Sequence, residues 1–150
     1  MEIRRIQEPE AAEVVALWDD MCRAVIDGGP LTEHGRRHLE RMLAMQAWHR
    51  ESFCLVAAGP ERIEGFVCAT ASAGTGLLPG LVGEVEESYA RPDAPEGLRR
   101  ELVEAAIAAL RERGADPIRS TMGADDPEAK ELFEHLGFEA DMICLSLYRK

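Results

Sequence analysis

A chain of 150 residues, 46% apolar and 30% charged, is long enough to bury one core and too short to expect a second. No run approaches the roughly 20 apolar residues that span a bilayer, and Met1-Glu2-Ile3-Arg4-Arg5-Ile6 enters an alternating pattern at once, so no membrane partner and a cytoplasmic location are expected. A net charge of −11 repels nucleic acid, whose binding needs basic patches, and either draws in a cationic substrate such as an amine or serves solubility alone.

In chain order, residues 2–6 read as a first strand. From Pro9, apolar Val14, Leu17, Trp18, Met21, Cys22 and Val25 fall at helical spacing, and Asp27-Gly28-Gly29-Pro30 breaks that helix. Thr32 is placed to cap a second helix with Leu39, Met42, Leu43 and Met45 on its buried stripe. Residues 53–58 and 63–71 flank Gly59-Pro60 and read as a hairpin; 72–80 is a glycine-rich loop, and 82–91 the next strand. Residues 96–113 give the clearest helix, with Leu98, Leu102, Ala105, Ala106, Ala109 and Leu110 on one face and Gly114 as its stop. A strand at 117–122 follows. Asp126-Pro127-Glu128 then opens a short helix closed by Leu136-Gly137-Phe138, with Phe138 folding back on Phe133, and 142–148 is a last strand. The order predicts an α/β (mixed α+β) single domain over 1–150, with roughly six or seven strands in a mixed sheet and about four helices.

Cys22, Cys54, Cys68 and Cys144 are too widely spaced for a disulfide framework or metal cluster and are expected as reduced, buried thiols. His34 and His38 stand at i, i+4, but spacing suggests no third ligand, so no metal is expected.

Residues 83–138 resemble the acetyl-CoA-binding half of the GNAT superfamily of N-acetyltransferases. The matching pieces are Glu84-Val85-Glu86-Glu87-Ser88-Tyr89-Ala90-Arg91-Pro92, the loop to Arg99, the helix to Arg113, Ile118-Arg119-Ser120-Thr121, and Leu132-Phe133-Glu134-His135-Leu136-Gly137-Phe138. The order of elements before them fits the family too, so the likeness covers nearly the whole chain. It implies acetyl-CoA as co-substrate. Its diphosphate would lie at the N-terminus of the long helix, where unpaired N–H groups and a partial positive charge meet. Its pantetheine arm would lie along Ser88, Tyr89 and Ala90. Glu96, Gly97, Leu98, Arg99, Arg100 and Phe133 complete the implied cofactor-binding set. Where the family has Arg/Gln and a second glycine, this chain has Ala94 and Arg99. Arg99 and Arg100 either grip the phosphates or pair on the helix surface with Glu96, Glu101 or Glu104.

Acetyl transfer to an amine needs a base for the ammonium proton. The resemblance places it at Glu84; Glu86 shares that strand face by period two, while Glu87 points to the other. Phe133 stands where many members have the tyrosine that protonates the departing thiolate. The acceptor, a small-molecule or protein amine, would be lined by residues 18–50 and 72–82, with Trp18, Asp19, Asp20 and Trp48 as contacts. The reading leaves room for a homodimer. Ala94, Arg99 and Phe133 also motivate an alternative, a GNAT-fold module that binds a ligand or partner without transfer.

Overall fold

The computed structural model describes residues 1–25, 30–74, 76–77, 79–124 and 126–150, the side chain of Val25 excepted. The expected break at Asp27-Gly28-Gly29 lies outside the described residues, as do Thr75 and Leu78 of the expected loop. Chain order is β1 (Glu2–Arg5), a 3-10 turn (Glu8–Glu10), α1 (Ala11–Val25), α2 (Glu33–Met45), β2 (Ser52–Ala58), β3 (Ile63–Ser72), β4 (Leu81–Ala90), α3 (Leu98–Glu112), β5 (Ala115–Ser120) and α4 (Pro127–His135).

The helix boundaries have local causes. Thr32 Oγ1 accepts the Gly35 N–H at 3.0 Å and opens α2, and Asp126 does the same for α4 through the Ala129 N–H at 3.1 Å. At the far end of α4 the Phe138 N–H returns to the Phe133 carbonyl at 3.0 Å. The two rings pack edge to face 5.0 Å apart, with Gly137 at φ +94° making the turn.

The sheet runs β1-β2-β3-β4-β5, antiparallel except for the parallel β4–β5 pair. One core lies under α1 and α2, with Val14, Leu17, Leu43, Cys54, Val56 and Phe66 buried and Trp18 packed against them. The other lies under α3, where Leu98, Leu102, Val103, Ala106 and Leu110 meet Phe53, Val67, Ala69 and Val85. Both faces are thus covered, as sheets with parallel pairing generally are. Among the described residues no helix is long and apolar enough to cross a membrane.

Two expectations change. Among the described residues the sheet has five strands, because residues 142–148 are exposed and pair with no strand. Strand character there is legible in the side chains, but a strand needs an edge to bond, and this segment leaves α4 without meeting one. For the same reason Cys144 is exposed, while Cys54 and Cys68 are buried and Cys22 lies between.

Candidate active site

The register of β4 decides what faces the cleft. Ala69 pairs with Val85 and Val67 with Ser88, so Cys68 alone stands opposite both Glu86 and Glu87. That is a β-bulge, which re-aims the side chains after it. Before it, Gly83 and Val85 face α3: a Cβ on Gly83 would lie 3.0 Å from the Ala115 side chain and 3.3 Å from Leu110. Glu84 therefore points to the opposite face and is exposed. Glu86 shares that side and hydrogen-bonds the Thr70 hydroxyl.

β5 follows β4 only as far as Val85, which pairs with Ser120. Beyond that point residues 86–90 have no β5 neighbour, and the sheet splays. A cleft of about 770 Å³ opens in the gap, bounded by β4, Met21 and Ala24 of α1, the 91–97 loop, the start of α3, and one side of α4. This is the size range of small-molecule sites, and it lies past the carboxyl end of β5, where open α/β sheets bind ligands.

Of the residues implied for cofactor binding, Ser88, Tyr89, Ala90, Glu96, Gly97, Leu98, Arg99 and Arg100 all line this cleft. Phe133 does not; it is buried in the α3 core, and its neighbours Leu132 and His135 reach the wall instead. Neither Glu84 nor Glu86 is on the lining, but Glu87 is. Sequence alternation put Glu87 on the wrong side because nothing in the residues announces the bulge.

Gly97 sits at φ +83° as the N-cap of α3, with no side-chain hydrogen bond there. A β-carbon would be strained in that left-handed backbone; the Leu98 N–H goes to the Pro95 carbonyl at 3.2 Å, and the first-turn N–H groups after it have no side-chain cap and are open to a ligand or water. Arg99 Nε donates to Ser88 Oγ at 3.0 Å, tying the helix start to β4. Arg100 Nε pairs with Glu104 at 2.9 Å along the helix surface. Arg100 thus makes one of the surface pairings expected from the sequence, while Arg99 takes a partner on β4 that the sequence did not suggest.

Burial in the cleft mouth pushes the Glu87 carboxyl above the usual range, the Arg99 charge pulls against it, and Glu86 and Asp126 add to the rise. The side chain is exposed by area, yet the walls around it thin its water. Burial also raises the Tyr89 hydroxyl, which stays protonated at neutral pH.

The expected acceptor contacts fare differently. Asp19 is buried and held below the usual carboxylate range, first by the Leu31 N–H at 2.8 Å and then by Arg23 and Arg36 at 3.0 and 2.9 Å, so it fastens α1 to α2. Trp18 stacks on Phe66 at 5.2 Å in the core. Trp48 is exposed, its indole N–H on Glu8. Asp20 is exposed and acts on Tyr89 through its charge. His34 and His38 are both exposed on α2.

The fold is shared with solved structures of low sequence similarity. A protein described as a transcriptional regulator from Bacillus halodurans C-125 superposes with a TM-score of 0.81 at 21% identity, covering 99% of each chain. An aminoglycoside N-acetyltransferase in complex with CoA gives 0.76 at 15%, covering 99% of this chain and 93% of that one. An aminoglycoside acetyltransferase from an uncultured soil sample, in complex with sisomicin, gives 0.73 at 12%, covering 99% and 95%. No curated protein matches in sequence. Residues 16–138 match the acetyltransferase (GNAT) family. A match over that much of the chain, on this fold and with this cleft, settles the family: the chain belongs to the GNAT acetyltransferases, enzymes that depend on acetyl-CoA.

Proposed function

We propose that the chain moves the acetyl group of acetyl-CoA directly to a primary amine, with Glu87 as the proton acceptor. The observation that carries this reading is the placing of Glu87, raised above its ordinary range, in the same cleft as the open N-terminus of α3. The thioester is the acyl donor when bound. The chain's residues fit such a group. The α3 N-terminus and Arg99 suit a diphosphate, and the unpaired edge at residues 86–90 suits an amide-bearing arm laid beside it as an extra strand. Glu87 takes the ammonium proton so that the amine can attack, and a carboxyl raised toward neutrality accepts it with little driving force lost. The acidic lining of Glu87, Asp126, Glu128 and Glu131 favours a cationic acceptor, and the aminoglycoside enzymes of like fold make small amines the first class to try.

Glu87→Gln should lower turnover by roughly 10²–10⁴-fold with acetyl-CoA affinity nearly intact. Glu84→Gln and Glu86→Gln serve as comparators and should keep most of the rate. If Glu84→Gln instead abolishes turnover and Glu87→Gln does not, the base is Glu84, the position implied by the family resemblance.

Phe133 favours a second reading, a module that binds without transfer, because its ring supplies no proton and is packed in the core. Acetyl-CoA binding with no acetylation of any amine in a broad panel would select it.

A further inference from the structure

Arg99 sits at the seam between the two working parts of the cleft. It belongs to the first turn of α3, two residues after Gly97 at the open N-terminus, and is half-buried. Its Nε donates to Ser88 Oγ at 3.0 Å, and its other guanidinium N–H groups have no protein acceptor among the described residues. Ser88, 7% exposed, follows Glu87 on β4, and all three residues line the cleft. The tether thus fixes a cationic head against the strand that carries the proposed base. Burial raises the Glu87 carboxyl, and the Arg99 charge opposes that rise. The other groups facing Glu87 give no such help. Glu86 beside it, which hydrogen-bonds Thr70, and Asp126 at the N-cap of α4 both add to the rise. The Cys22 thiol on α1 is pushed up by burial, and the Cys68 thiol on β3 by its hydrogen bond with Cys54 and by burial; the Glu87 charge adds to both. Among the described residues Arg99 is therefore the cation that holds Glu87 down, and it does so from the mouth of the α3 N-terminus.

We infer that Arg99 couples the two parts: a diphosphate seated at the α3 N-terminus engages its charge, and Glu87, released from that charge, becomes the stronger base once the acyl donor is in place. This deepens the reading of the cleft as an acetyl-transfer site and rests on it. The cause is charge balance in a confined space. An anion beside the guanidinium cancels its field at Glu87 and adds a repulsive field of its own, and both changes favour the protonated carboxyl. The effect is reciprocal. If binding makes Glu87 hold a proton more tightly, a protonated Glu87 must bind the anionic donor more tightly by the same factor. Donor binding therefore takes up protons between the free and the liganded pKa, and affinity falls as pH rises through that window. Above and below the window affinity is level. In the empty cleft Glu87 stays the weaker base, and an arriving amine meets it at full strength only beside a thioester. The family pattern has a glycine where this chain has Arg99, and a glycine has no charge to lend.

The test reads protons and needs no acceptor. Calorimetric titration of the full chain with acetyl-CoA, in buffers of different ionisation enthalpy from mildly acid to neutral pH, should show uptake of a fraction of a proton. The donor's own phosphates, His135 and the other acids of the lining contribute to parent and Glu87→Gln alike, so the part lost in Glu87→Gln belongs to Glu87. Arg99→Gln, with the double variant as its baseline, should lose most of that part. Arg99→Lys keeps the charge and should retain it. Without ligand, the Glu87 carboxyl carbon, assigned by its absence in Glu87→Gln, should titrate at higher pH in Arg99→Gln than in the parent. Where an amine is acetylated, the acidic limb of kcat should lie above that of kcat/KM, since the two report the liganded and the free enzyme. The proposal falls if Glu87→Gln or Arg99→Gln leaves the uptake unchanged, or if the unliganded Glu87 titration ignores Arg99. It falls together with the cofactor assignment if acetyl-CoA does not bind. Uptake that follows both residues in a chain that acetylates no amine upholds the coupling and overturns the transfer reading.

Discussion

Glu87 works against the stability of the fold it belongs to. Its carboxyl is raised above the unfolded value, so the folded state prefers it protonated. The stability this gives is fully present below the unfolded pKa and lost as pH rises through the folded one. Glu87→Gln should therefore melt at or above the wild-type temperature near neutrality, the advantage shrinking as pH falls through the raised pKa, while turnover drops. Calorimetric scans across pH read the first effect and initial rates the second; a variant less stable at every pH would mean that Glu87 is held by contacts and not merely desolvated. The acidic limb of the wild-type rate profile should sit above the ordinary glutamate range for the same reason. Arg99 is the second informative side chain. Its removal should weaken acetyl-CoA by roughly 1–3 kcal/mol, as loss of a charged hydrogen bond does. Arg100→Ala should cost less, because Arg100 already spends its Nε on Glu104. Titration calorimetry separates the two, and equal losses would return both arginines to the phosphates.

At the scale of elements, the cleft exists because β4 outruns β5 and because α3 approaches β3 closely. Gly65 allows that approach: a Cβ there would lie 2.7 Å from the Tyr89 carbonyl oxygen and 3.0 Å from the Leu102 side chain. Backbone cannot yield as a side chain can, so Gly65→Ala should destabilise by about 1–3 kcal/mol, the usual cost of overpacking. It should also displace residues 89–90 and weaken acetyl-CoA, which a melting curve and a binding isotherm on the same sample would show. A stable variant with unchanged binding would mean that the sheet has room the geometry denies. Which elements could be read from the residues follows from where their causes lie. The long helix, the Thr32 and Asp126 caps and the Phe138 fold-back are written within a few positions of themselves. The bulge at Glu86-Glu87 arises from a register between two strands and leaves no local mark. Hence eight residues that line the cleft could be picked out from the sequence, while the carboxylate that lines it with them was assigned to the other face. Phe133 was misplaced for a related reason: a residue matched along the chain can still turn its ring into the core.

For the molecule as a whole, the order of elements was enough to give the fold class, since a parallel pair with a helical crossover and an antiparallel run before it admit few arrangements. Strand number was not legible, because whether 142–148 pairs depends on which edge it can reach. Folding and the site can also be followed by light. The chain has two tryptophans, and they live in opposite surroundings. Trp18 is stacked at 11° on buried Phe66, while Trp48 is 63% exposed. Trp18 lies one helical turn before Met21, which lines the cleft. Replacing Trp48 by Phe leaves a single fluorophore wired to both the core and the site. Its emission should be blue-shifted in the folded protein, move to the red only at global unfolding, and change in intensity as acetyl-CoA fills the cleft. One cuvette could then follow folding and ligand binding in an enzyme whose acceptor has yet to be chosen, with no assay of the reaction at all.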